Sequence, residues 1–339
     1  MLHTNRVTLI CLLLLSAGIG AERAQAQAVA PTFLRLDETN IVPYLDDSPY
    51  ADLATRSSFT PQNSTPAFSK STVIGDIVAA NGQAAKGTHF SWINNFLTSK
   101  SLTPGTAIAD AVRAGIVLHF WEIQQADGTP IGSIMAMGLG GGAAPPGAPA
   151  SQLGANFVIT GGTGAFAGVR GFGGRTSALD TSVPQAGHSN SEDPAYRRVN
   201  GGGTGNYLLT LYPAVNPAVA ITPNGPAVTH SSNFTLVSAA SPATAGESLS
   251  LFATGLGPVK GAINPGQPFP SSPLATVNSP VTVTVNGVAA TVTAATGYPG
   301  ATDAYQVNFT LPSGLSTGSA TVQIASAWFS SAPVSIAIK

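Results

Sequence analysis

The stretch Phe157-Val158-Ile159-Thr160-Gly161-Gly162-Thr163-Gly164-Ala165-Phe166-Ala167-Gly168-Val169-Arg170-Gly171 decides how this chain is read. A strand running into T-G-G-T-G-x-x-x-G has the outline of a dinucleotide-binding turn. That turn needs a helix directly after the glycines, whose N-terminus holds the pyrophosphate. Here Gly168, Gly171, Gly173 and Gly174 follow closely, and each glycine costs a helix about 1 kcal/mol relative to alanine. The segment therefore reads as strand, glycine-rich turn, strand. Gly161, Gly162, Gly164, Gly168 and Gly171 supply the turn, and Phe166 and Phe172 are expected to pack as apolar plugs.

The same pattern extends in both directions. Upstream, Ser71–Val78 leads into Asn81-Gly82, a tight-turn dipeptide. Thr88–Leu97 and Ala114–Ile123 follow, then Asp127-Gly128 as a turn and Ile131–Leu139 as the next strand. Gly140–Pro149 reads as a loop, Tyr207–Tyr212 as a closing strand, and only Thr106–Ala114 hints at a helical turn. Short strands joined by turn dipeptides predict an all-β chain with an antiparallel barrel over residues 70–213. Residues 29–69, with Asp37, Glu38, Asp46, Asp47 and Asp52, read as an irregular, solvated lead-in. A proline-rich linker spans 214–227. Beyond it, Val281–Thr293 alternates β-branched residues around Asn286-Gly287, and seven short strands predict an immunoglobulin-like β-sandwich over 228–339.

Composition narrows the function classes. Charged residues are 9% of 339, against roughly 25% in an ordinary domain, and the net charge is −1. No basic surface for nucleic acid is available. Residues 1–28 combine a basic start, the apolar stretch Val7–Leu15 and small residues ending in Ala24-Gln25-Ala26-Gln27-Ala28. This predicts a signal peptide cleaved after Ala26 or Ala28, and hence a secreted or envelope-located protein. The single cysteine, Cys11, lies inside that segment without a lipobox. No later segment is apolar over 18 residues, so no transmembrane segment is expected in the mature chain.

Two family resemblances are carried by specific residues. "FVITGGTGAFAGVRG" (157–171) resembles the signature of dirigent proteins and the allene oxide cyclase barrel. The order "GTHFSWINNFL", "VRAGIVLHFWEIQ", "GSIMAMGLGG", the motif itself, then "TGNYLLTLYP" is similar as well. The resemblance implies an eight-stranded antiparallel barrel with a cavity. Plant members guide the coupling of phenoxy radicals or cyclise an unstable fatty-acid epoxide. Arg170 matches the arginine of the motif, and Asp76 is the acid nearest to that borne by the cyclases' first strand. "GESLSLFATGLGPV", "VTVTVNGVAATVTAATGYPGATDAYQVNFTLP" and "GSATVQIA" resemble the immunoglobulin-like C-terminal domain common in secreted acidobacterial proteins. That implies an attachment module, with a cell-surface or protein partner.

Chemistry-bearing motifs are scarce. There is no G-x-S-x-G, S-x-x-K, H-E-x-x-H or cysteine pair. His89, His119, His188 and His230 are scattered without metal-ligand spacing, so neither metal nor cofactor is expected. In the run around His119, period-two alternation puts Val117, His119, Trp121 and Ile123 on one face. Ile116, Leu118, Phe120 and Glu122 fall on the other, and either face could line the barrel. If the first does, His119 beside Trp121 is a polar group in an apolar cavity. His119, Trp121, Arg170 and Tyr207 are thus the candidate ligand-binding residues.

Three functions fit this reading. One is a secreted barrel that binds a small hydrophobic or aromatic ligand. Another is an isomerase or lyase of the allene oxide cyclase type. The last is a non-catalytic surface adhesin, supported by the low charge and the Thr/Ser-rich faces of the second domain; an exposed aromatic row would favour carbohydrate binding, but Trp328 and Phe329 stand alone near its end.

Overall fold

The computed structural model describes residues 30–45, 68–97, 113–140, 157–175, 188–189, 203–261, 263–264 and 266–339. The expected signal peptide, most of the Gly140–Pro149 loop and residues 106–112 lie outside them. Every regular element among the described residues is a β-strand.

The first unit comprises β1 (Thr32–Leu45), β2 (Phe68–Ala80), β3 (Gln83–Leu97), β4 (Arg113–Gln125), β5 (Pro130–Gly140), β6 (Phe157–Gly164), β7 (Arg170–Arg175), β8 (His188–Ser189) and β9 (Gly203–Tyr212). Pairing runs β2-β3-β4-β5-β6-β7-β9-β1, and β1 pairs back onto β2, closing an eight-stranded antiparallel barrel. The short β8 adds in parallel to the end of β1.

The closing strand corrects the sequence reading. Residues 32–45 are not a solvated lead-in but β1, bonded to β9 on one side and β2 on the other. Closure removes both sheet edges, so the stretch is held by ladders on both flanks. The linker is also shorter than expected. Within 214–227, β10 (Ala218–Val219), β11 (Ile221–Thr222) and β12 (Gly225–Pro226) already pair, β10 with a strand of the second unit.

The glycine motif divides between turn and strand. Gly164 and Gly168 have φ of 62° and 73°, left-handed positions that suit glycine at a turn. Gly164 is the last residue of β6 and Gly168 lies in the turn, whereas Gly161 and Gly162 lie further inside β6 and Gly171 within β7. Phe166 is a buried plug as expected, whereas Phe172 faces out and is exposed.

Both faces of the barrel wall are apolar, which is unusual for a sheet with one solvated side. Inside lie Leu34, Leu36, Ile123, Ile134, Ile159 and Leu209. Outside, the registers set Trp92, Leu118, Met137, Val158 and Phe172 side by side across five strands, each 38–59% exposed.

The second unit adds β13 (Val228–His230), β14 (Ser248–Thr254), β15 (Val281–Val285), β16 (Val288–Gly297), β17 (Tyr305–Thr310), β18 (Gly318–Ser326), β19 (Phe329–Ser330) and β20 (Val334–Ile338). These surround one core that includes Leu249, Leu251, Val283, Val307, Phe309, Val322 and Ile324. The hairpin around Asn286-Gly287 forms as read, with both residues at positive φ.

The two units meet at one end of the barrel. Phe166 stands 6.4 Å from Trp328 with rings 9° from parallel, and 6.0 Å from Phe329 edge-on. Gln125 Nε2 donates to the Asn278 carbonyl. Trp328 and Phe329 therefore form part of this junction. Ala327 and Trp328 occupy the two central positions of the β18–β19 turn at φ of 48° and 69°, a conformation normally given to Asn-Gly. Ala327 is buried at the junction and Trp328 packs on Phe166, which holds the strained turn in place. Replacing Trp328 with glycine is expected to relieve the turn but remove its aromatic contact, lowering barrel stability by about 1 kcal/mol. Calorimetry would read this as a lower barrel melting temperature; an unchanged one would show that the junction does not support the barrel.

Candidate functional site

Away from the junction, the barrel interior changes from aliphatic to aromatic and polar. Four strands contribute. β4 presents His119 and Trp121 on its inner face, so the alternation that bracketed them is resolved in favour of the first face. β3 presents His89 directly opposite Trp121, β9 presents Tyr207, and β1 presents Glu38, which is 2% exposed. Glu38 was expected among solvated acids. Its burial follows from β1's membership of the barrel, where Leu34, Leu36 and Glu38 alternate inward.

These residues form one hydrogen-bonded chain. Glu38 Oε1 accepts from Trp121 Nε1–H at 3.2 Å, and Oε2 is 3.0 Å from His89 Nδ1. His89 Nε2 is in turn 3.0 Å from His119 Nδ1. The imidazoles lie 5.3 Å apart between centroids and 19° from parallel, the arrangement of an edge-to-edge N···N bond. The carboxylate is an acceptor, so His89 carries hydrogen on Nδ1. With His89 neutral, its Nε2 accepts from His119 Nδ1–H. His119 Nε2 is then the lone pair at the end of the chain.

A glycine makes this chain possible. Glu38 sits on β1 and His89 on β3, with β2 between them, and Gly75 of β2 is registered against His89. A β-carbon at Gly75 would stand 3.2 Å from Glu38 Oε2 and 3.2 Å from Ile41 Cγ1. Lacking one, it lets the carboxylate pass across the intervening strand.

The walls are rings. Trp121 lies 5.0 Å from His119 at 7°. Tyr207 is set edge-on to His89, His119 and Trp121 at 4.9, 5.6 and 5.3 Å. Phe157 leans on His119 at 4.7 Å. Burial, followed by the neighbouring His89 and the Arg175 guanidinium, holds His119 well below its ordinary value of 6.5. Burial also raises the Tyr207 phenol, with Glu38 adding to the rise and Arg175 opposing it. The site at neutral pH thus holds a neutral imidazole and a protonated phenol.

Of the residues singled out from the sequence, His119, Trp121 and Tyr207 come together here. Arg170 does not. It is exposed on the outer wall, where Nη1 donates to the carbonyls of Thr160 and Val169 and braces the β6–β7 turn. Glu122 is also on the outer face. The cation that does reach the site is Arg175, five residues on. Its guanidinium carbon stands 5.3 Å from the centre of the Tyr207 ring.

Sequence reasoning missed Glu38, His89 and Arg175. The available signal was the alternation in Thr32-Phe33-Leu34-Arg35-Leu36-Asp37-Glu38, which marks a strand once the following acids are not taken as solvated. Among the described residues, no group of three or more His, Cys, Asp or Glu side chains is disposed to hold a metal. The imidazole nitrogens of His89 and His119 are directed at each other instead of at a common point. The chain matches no protein-family model, curated protein or solved structure.

Proposed function

We propose that the polar end of the barrel takes up a small, largely apolar or aromatic molecule and moves a proton on it, a reaction of the isomerase or lyase kind. The observation that carries this is the chain Glu38–His89–His119, buried among Trp121, Phe157 and Tyr207. The proton taken from the ligand lands on His119 Nε2. The Nδ1–H of the resulting imidazolium is held by His89, and the Nδ1–H of His89 by Glu38. The same Nε2–H returns the proton to another atom of the ligand or to a leaving group, so the site ends as it began. The aromatic walls support a ligand with an apolar body. A barrel that only binds such a molecule is the second reading, and those walls support it equally.

The N-terminal pattern supports export of this activity from a bacterial cell. The immunoglobulin-like signature of the second unit supports a role in attaching the barrel to a surface or a protein partner.

The test is deuterium exchange into a simple carbon acid. Phenylacetone in D2O is expected to exchange its benzylic hydrogens faster with the protein than with buffer. His119→Gln is expected to slow the catalysed part by about 10²–10⁴-fold. Because His119 acts as a base, the rate should rise with pH and level off, with a midpoint below 6.5. Exchange at the same rate in His119→Gln would remove His119 from the mechanism. Binding without exchange would leave the second reading.

A further inference from the structure

Arg175, the last residue of β7, faces Tyr207 across the β7–β9 ladder and shares its inward face. The guanidinium lies over the phenol ring. Its Nε is buried and makes no hydrogen bond, and no described carboxylate forms an ion pair with it. The nearest acid of the site, Glu38, is already engaged by His89 and Trp121. Room has been left for this side chain: a β-carbon at Gly205 would come within 3.4 Å of Nη2 and 3.5 Å of Nε.

A guanidinium has five N–H donors in a fixed fork, and leaving one of them buried without an acceptor is costly. Such an arrangement is stable when something else completes it. The ring below Arg175 satisfies part of its charge but none of its donors. The position beside His119 and Tyr207 is where a bound molecule would meet it, and the charge of Arg175 is already felt by both.

We propose that Arg175 is the anchor for a carboxylate group on the ligand, so that the barrel's molecule is an apolar or aromatic monoanion rather than a neutral one. The inference rests on the acid–base reading of the same site. It adds a division of labour: Arg175 holds the anionic end by its Nε–H and an Nη–H, and His119 meets the apolar remainder. Bidentate pairing of this kind fixes orientation as well as affinity, which a base acting on one particular hydrogen requires. The arginine of the glycine motif, Arg170, cannot serve, because it lies outside the wall.

Two matched probes test this on the full chain: 4-phenylbutanoate and 4-phenylbutanamide, titrated by calorimetry. The native protein is expected to prefer the carboxylate by about ten- to a hundredfold. Arg175→Gln is expected to erase that preference, so that the two probes bind with equal affinity. In the native protein, the Arg175 Nε–H resonance is expected to move with the carboxylate and not with the amide, a readout that needs no folded variant. Equal affinity for the two probes, a preference surviving in Arg175→Gln, or an Nε–H signal indifferent to the carboxylate would overturn the anchor. Amide binding in those cases keeps the apolar site standing. Binding of neither probe would overturn the site itself, and the anchor with it.

Discussion

Glu38→Ala is expected to remove about 2–6 kcal/mol of stability, because it leaves two buried donors without an acceptor at about 1–3 kcal/mol each. The carboxylate accepts from two donors, Trp121 Nε1–H and His89 Nδ1–H, in a site with no solvent to replace it. Alanine orphans both and opens a void beside Gly75. A domain with a typical reserve of about 5–15 kcal/mol loses much of its margin. Proton-transfer activity is expected to fall with it, since His89 loses the group that fixes its tautomer and no longer orients His119. Glu38→Gln separates the two effects. Its amide oxygen can satisfy one donor, but its NH2 group faces the other, so part of the stability returns while His89 is no longer held by a charge. Urea unfolding followed through tryptophan fluorescence reads the first effect, and deuterium exchange the second. A loss under 1 kcal/mol in Glu38→Ala would show that the chain is solvated in solution.

Gly171→Ala is expected to prevent the barrel from closing. The residue has φ of 153°, and a β-carbon there would lie 1.9 Å from the Thr210 carbonyl oxygen and 3.0 Å from its carbon. The obstacle is backbone in the β7–β9 ladder, which cannot turn aside as a flexible side chain would. The strands must separate, and Gly171 pairs with both Leu211 of β9 and Ile159 of β6. Strain of about 1–3 kcal/mol at the residue adds to the loss of ladder hydrogen bonds worth about 1 kcal/mol each. Gly161→Ala is the control within the same motif. Its β-carbon would meet only Arg170 Nη1, at 3.6 Å, so expression and melting should match the native protein. Equal tolerance at both positions would mean that the ladder around Gly171 is more open than described.

Stability should also fall as the solution is acidified. His119 in the barrel takes up a proton only well below 6.5, while the unfolded chain takes one near that value. The unfolded state therefore binds more protons in the window below 6.5, which lowers the folded state's advantage as pH drops.

What the residues alone determined is local. Period-two alternation placed His119 with Trp121 on one face of a strand, turn dipeptides marked the hairpins, and clustered glycines excluded a helix after residue 160. These follow from steric and turn preferences acting within a few residues. Tertiary structure decided which face turned inward. Ile116, Leu118 and Phe120 are as apolar as Val117 and Trp121, so burial contrast carried no information about the two sides of β4. It also decided the site's composition. Glu38 meets His89 at a sequence separation of 51 and Trp121 at one of 83, through closure of β1 between β9 and β2. An acid grouped with Asp37, Asp46 and Asp47 reads as solvated; only a strand closing the barrel takes it out of water and supplies donors for its charge.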